Sequence, residues 1–67
     1  MRTTRLSPRQ KKILELLAEG LNQKEISKIL AISPNTVKAH LLITYERLGA
    51  VNDVNAVAIS IRRKYIE

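Results

Sequence analysis

The stretch Asn22-Gln23-Lys24-Glu25-Ile26-Ser27-Lys28-Ile29-Leu30-Ala31-Ile32-Ser33-Pro34-Asn35-Thr36-Val37 decides how this chain folds. Asn22 followed three residues later by Glu25 is a capping box, in which each side chain satisfies a backbone N–H that the first helical turn leaves free. Ile26, Ile29 and Leu30 recur at helical spacing, so a short second helix is predicted over Gln23 to Leu30. Ser33-Pro34 then starts a new helix, with a cap residue followed by proline at the first helical position, where its missing N–H costs nothing. This third helix is predicted from Pro34 to about Leu48, with Gly49 as its stop. Only Ala31-Ile32-Ser33 lie between the two helices, a length that forces a sharp crossing, as in a helix-turn-helix. Ala31 is small where backbone passes close to backbone, and Ile32 is placed to plug the core between them.

Working outward, the same punctuation recurs. Ser7-Pro8-Arg9-Gln10 combines cap, proline and capping-box glutamine, Ile13, Leu14, Leu16 and Leu17 follow at helical spacing, and Gly20 closes the segment. A first helix is predicted over about Pro8 to Glu19. After Gly49, Asn52 or Asp53 caps a fourth helix, whose core stripe is expected to be Val54, Val57, Ala58, Ile61 and Tyr65. Both glycines fall at helix ends and both prolines at helix starts, and no two-residue alternation argues for a strand. The fold class is therefore all-α, a four-helix helix-turn-helix domain, and residues 1–67 read as one domain without repeat or linker.

The 67 residues carry 12 Lys and Arg against 6 Asp and Glu, a net charge of +6. So basic a small domain suits a polyanion, nucleic acid first and an anionic membrane surface second. No apolar run is long enough to span a membrane, and Met1-Arg2-Thr3-Thr4-Arg5 has no apolar segment after it, so it is not read as a secretory signal. Cysteine is absent, which removes disulfides and thiolate metal sites and fits a reducing compartment. Tyr45 and Tyr65 are the only aromatics, too few for the stacking platforms that bind single strands. A nucleophile–base pair, a carboxylate pair and a glycine-rich phosphate loop are all missing, which argues against an enzyme and against a cofactor. His40 alone makes no metal site.

The residues Leu6-Ser7-Pro8-Arg9-Gln10, Leu16-Leu17-Ala18-Glu19-Gly20, Lys24-Glu25-Ile26-Ser27, Ile32-Ser33-Pro34-Asn35-Thr36-Val37-Lys38-Ala39-His40 and Arg47-Leu48-Gly49-Ala50 together resemble the LuxR-type (GerE/NarL-type) DNA-binding domain, from about Leu6 to Ala58. The resemblance implies a cytoplasmic bacterial transcription regulator that binds repeated duplex-DNA half-sites as a dimer, often through the fourth helix. Such domains usually follow a receiver or ligand-binding domain, so the chain is expected to be either a freestanding regulator or a piece of a longer one. The departures are Gln10 for the usual Glu, Asn22 and Gln23 for Ser/Thr and Asn, Ile43 for Asn or Arg, Thr44 for a buried apolar residue, and Asp53 for Arg.

Within a helix-turn-helix the second helix of the pair enters the major groove. Lys38 follows Val37, which the resemblance places in the core, and a lysine facing the groove bonds guanine or reaches a phosphate. Ala39 permits close approach or touches a thymine methyl. Asn35, in the first turn, suits a bidentate bond to adenine or is a plain surface polar residue. Ser33 and Thr36 lie where free N–H groups attract phosphate, although Ser33 also reads as the helix cap. The resemblance favours a position near the DNA backbone for His40. Lys24 and Lys28, one turn apart, and Arg47 are candidate phosphate clamps or solvated cations. Leu41-Leu42-Ile43 are three consecutive apolar residues on one helix, so Leu42 and Ile43 either meet thymine methyls, form a protein-contact patch, or mark a helix rotated to turn Ile43 inward in place of Thr44. On the fourth helix Asn55, Ile59, Arg62 and Ile66 form a second face, a candidate twofold dimer contact, and Arg62-Arg63-Lys64 either reaches DNA flanks or is a solvated tail.

Duplex DNA and a homodimer through the fourth helix are the expected partners, with RNA polymerase a further candidate. Two rivals stand beside this reading. A sigma-factor promoter-reading module shares a similar helix-turn-helix and would copurify with polymerase core. A protein-interaction module, an anti-activator that kept the scaffold but lost its DNA contacts, is motivated by Leu42, Ile43 and Asp53.

Overall fold

The computed structural model describes residues 6–66, which form four α-helices: α1 (Pro8–Ala18), α2 (Gln23–Leu30), α3 (Pro34–Leu48) and α4 (Asp53–Arg62). Each helix starts at a capping side chain. Ser7 Oγ accepts from the Gln10 N–H at 3.1 Å while Gln10 Oε1 accepts from the Ser7 N–H at 2.8 Å. Asn22 and Glu25 exchange the equivalent pair, both at 2.9 Å. Ser33 Oγ accepts from the Thr36 N–H at 3.1 Å, and Asn52 Oδ1 from the Asn55 N–H at 2.8 Å. Each such bond satisfies a donor that the helix cannot, and is worth about 1 kcal/mol.

The helices also end alike. Leu21, Ile32, Ala50 and Tyr65 each donate their N–H to the carbonyl five residues back, on Leu16, Ser27, Tyr45 and Ser60, at 2.8–3.2 Å. This closure needs a left-handed residue just before the donor. Gly20 (φ +93°) and Gly49 (φ +72°) supply it without strain, whereas Ala31 (φ +57°) and Lys64 (φ +62°) adopt it despite their Cβ. Ala31 therefore does more than leave room between backbones. It sets the direction in which the chain leaves α2, and Ser33 restarts the helix two residues later.

α3 runs through the centre of the domain and packs against α1, α2 and α4, while α2 and α4 do not pack on each other. Two apolar clusters flank it. Ile13, Leu16, Ile26, Val37 and Leu41 join α1, α2 and the first half of α3. Leu6, Leu14, Leu48, Ala56, Ile59 and Ile66 join α1, the end of α3 and α4. Leu17 and Tyr45 pack against both and tie them together. Gln10 is also buried, its Oε1 accepting from the Ser7 N–H in the capping box. Among the described residues no helix is long and apolar enough to cross a membrane.

The face of α4 that packs inward is Ala56, Ile59 and Ser60, not Val54, Val57, Ala58 and Ile61; Val54 is 79% exposed and Ile61 48%. Ala56 and Ser60 are small residues one turn apart, and with Ile59 they form the inner face. Ser60 Oγ is buried without a hydrogen-bond partner among the described residues. Nor can Asn55, Ile59, Arg62 and Ile66 form one dimer face, since Ile59 and Ile66 lie in the domain's own core. α4 ends at Arg62, and the left-handed Lys64 turns the chain back, so Ile66 reaches the core from a turn rather than from a helical stripe.

Replacing Ala31 by glycine removes a left-handed strain of about 1–2 kcal/mol and adds about 0.4–1 kcal/mol of unfolded-chain freedom. Ala31→Gly is therefore expected to stabilise the domain by about 0.5–1 kcal/mol, measured by urea or thermal unfolding. A loss of stability would mean that the Ala31 methyl supplies packing that outweighs its strain.

Candidate nucleic-acid interface

The inward face of α3 is fully engaged: Val37, Leu41, Thr44 and Leu48 are all buried. Thr44 tolerates its place because Thr44 Oγ1 donates to the His40 carbonyl at 2.7 Å, so its hydroxyl is not left unsatisfied. The alternative of a rotated helix with Ile43 turned inward is thereby overturned. Ile43 is 46% exposed and Leu42 57%, and only Leu41 of the three consecutive apolar residues enters the core.

A helix turns once in about 3.6 residues, so the side of α3 opposite this buried row is fixed. It carries Asn35, Ala39, Leu42, Ile43 and Glu46, and each of these is exposed. Lys38 flanks this face on one side, with Thr36, His40 and Arg47 on the other. Lys38, Thr36 and Arg47 are exposed, and His40 is half-buried. The structure thus brings Asn35, Lys38, Ala39 and Leu42 together on one solvent-facing strip. Lys24 and Lys28 are exposed one turn apart on α2, which packs directly against α3.

At the head of α3 the Ser33 and Thr36 hydroxyls lie 2.9 Å apart, and Ser33 Oγ already accepts the Thr36 N–H. Ser33 is therefore the cap, as one of its two readings had it, while both hydroxyls stay exposed. Arg62 is exposed at the last position of α4. Asn55 turns its Oδ1 to the Val51 N–H at 3.0 Å, so it acts in the loop before α4. Asp53 occupies the first turn of α4, where the helix dipole favours a carboxylate. Among the described residues no group of His, Cys, Asp and Glu could hold a metal ion.

The short left-handed turn, the capped second helix and its free outward face define a helix-turn-helix domain. The chain belongs to the luxR family of bacterial regulatory proteins, which it matches over residues 4–60; this is a family of DNA-binding transcription regulators. It is 41% identical over 64 residues to the transcriptional activator protein BjaR1 of Bradyrhizobium diazoefficiens, covering 96% of this chain and 26% of BjaR1. It is 45% identical over 58 residues to the quorum sensing-dependent transcriptional regulator RpaR of Rhodopseudomonas palustris, covering 87% of this chain and 24% of RpaR. The response regulator ChrA of a heme-sensing two-component system superposes with a TM-score of 0.92 at 33% identity, over 98% of this chain and 33% of ChrA. The chain spans about a quarter of the length of the two sequence relatives. The family match sets the sigma-factor alternative aside.

The division between the two faces of α3 has a direct consequence. Val37→Asp places a carboxylate where nothing is exposed, at a cost of several kcal/mol that rivals the whole stability of so small a domain. Circular dichroism is expected to show an unfolded Val37→Asp chain and a Leu42→Ser chain as helical as the parent.

Proposed function

We propose that this chain binds specific sites on double-stranded DNA as the DNA-reading part of a transcription regulator, working in the cytoplasm, with α3 in the major groove. The observation that carries the reading is the free face of α3, where Asn35, Lys38, Ala39 and Leu42 stand exposed on a helix whose other face is locked into the core. An α-helix fits the major groove, and its polar side chains there can bond base edges. Lys38 is the base or phosphate contact, and Asn35 is placed for adenine. Lys24, His40 and Arg47 serve the phosphates, and the exposed Ser33 and Thr36 hydroxyls lie at the helix N-terminus, where backbone N–H groups and the helix dipole favour an anion. The net charge of +6 supports the same partner.

We further propose that two copies pair through the outer face of α4, with Val54, Val57 and Ile61 replacing the buried Ile59 and Ile66 as the contact. These three follow one side of the helix, and a shallow cleft of about 180 Å³ lined by Leu17, Ala18, Asp53, Val54 and Val57 lies beside them. A twofold contact needs one self-complementary patch, which an apolar ridge beside a cleft provides. The two half-sites then lie about one helical turn of DNA apart, or a multiple of it.

Selection from a random duplex pool at low salt is expected to enrich a repeated motif, with affinity falling as salt rises. Lys38→Ala is expected to weaken the selected site about 5- to 150-fold, the equivalent of about 1–3 kcal/mol, without unfolding the domain. Unchanged affinity would displace α3 from the groove. Ile61→Glu is expected to reduce binding to the two-half-site duplex while leaving single-half-site binding within about twofold, since a charge on the ridge opposes pairing alone. Equal losses on both duplexes would contradict the α4 contact.

A further inference from the structure

The outward face of α3 holds three aliphatic side chains in succession. Leu42 and Ile43 stand three and four residues after Ala39, so each adjoins Ala39 on the helix surface. Leu42 and Ile43 are about half exposed, at 57% and 46%. Neither belongs to the two clusters that hold the domain together. Lys38 lies along one edge of the strip, and Lys24 and Lys28 are exposed on α2, the helix packed against α3. An apolar strip with lysines on its own and the neighbouring helix suits a surface that is polyanionic at its rim and carries apolar groups within.

We propose that this strip reads thymine methyl groups, so that Leu42, with Ala39 and Ile43, makes the chain select adjacent A·T pairs with their C5-methyls facing α3. The inference rests on the duplex-DNA reading above and names what the site recognises. In the major groove every base-pair edge offers hydrogen-bonding atoms, and thymine alone adds a methyl group. Leucine, isoleucine and alanine side chains can neither donate nor accept a hydrogen bond. Pressed against a guanine or cytosine edge they strip water from polar atoms and return nothing, which is penalised. Pressed against a methyl they bury apolar surface on both partners. From Ala39 to Ile43 the helix rises about 6 Å, close to two base steps of about 3.4 Å. The strip therefore spans about two base steps, while Lys38 and Asn35 supply the polar contacts beside it. Glu46, the one acidic residue on this face, follows Leu42 and Ile43 by four and three residues and bounds the strip on its C-terminal side.

The test leaves the protein intact and alters the DNA. A duplex selected by the full chain is resynthesised with each thymine replaced in turn by deoxyuridine, which removes the methyl and keeps every hydrogen-bonding atom. Loss of one buried methyl is expected to lower affinity about fourfold, at one or two adjacent positions in each half-site. In Leu42→Ser, whose replaced side chain is exposed, the same deoxyuridine substitutions are expected to lose most of their effect. If deoxyuridine is tolerated at every position of a duplex that is still bound specifically, the methyl reading is overturned while the DNA-binding reading stands. If the pool yields no enriched duplex at all, the DNA-binding reading itself falls, the methyl reading falls with it, and the apolar strip is left as a surface for a protein partner.

Discussion

Three residues separate α2 from α3, and their backbone is fixed at both ends. Ala31 takes the left-handed conformation that closes α2 through the bond from the Ile32 N–H to the Ser27 carbonyl at 3.0 Å. Ser33 then caps α3. With both ends set, the angle between the helices follows, and so does the side of α3 that meets Ile26 and the α1 residues Ile13 and Leu16. That choice commits Val37 and Leu41 to the interior, and helical geometry leaves Asn35, Lys38, Ala39 and Leu42 outside. The candidate site is thus a consequence of a turn that contains none of the residues proposed to read bases.

The division of the core into two clusters makes α3 the structural link of the domain as well as its proposed reading element. Its first half is held by α1 and α2, its second by α1 and α4, and Leu17 and Tyr45 bridge the two. A helix gripped along its whole length presents its free face rigidly, and a reader of base edges needs that fixed geometry, since a displaced side chain loses its hydrogen bond. The two clusters also account for a stable arrangement in a chain without disulfides, which at this size has little apolar interior to draw on.

The helices and the turn between α2 and α3 were legible because their signals are local. A capping side chain, a proline at the first helical position and a glycine after the last act within a few residues, and α2 and α3 begin and end where those signals put them. The exposure of the strip on α3 was partly legible, because three consecutive apolar residues cannot all be buried on one helix. Thr44 faces inward because it lies in line with Val37, Leu41 and Leu48, and its hydroxyl is satisfied there by the His40 carbonyl of the same helix, which residue type alone does not announce. α4 was misread for the opposite reason. Its interior face is marked by the small Ala56 and the polar Ser60, and a reading by apolar bulk turns the helix the wrong way round. The return of Ile66 to the core depends on a left-handed lysine, Lys64, a conformation that its residue type disfavours and only tertiary context selects.

The measurement that bears most directly on this account is an amide chemical-shift titration of the chain with a selected duplex, set against a scrambled duplex of the same composition. The account predicts that the shifts specific to the selected duplex concentrate on the turn and the outward face of α3, at Ser33, Asn35, Thr36, Lys38, Ala39 and Leu42, with Lys24 of α2 also affected. Specific shifts confined to α1, or to the Val54 and Ile61 side of α4, with the face of α3 unchanged, would contradict it.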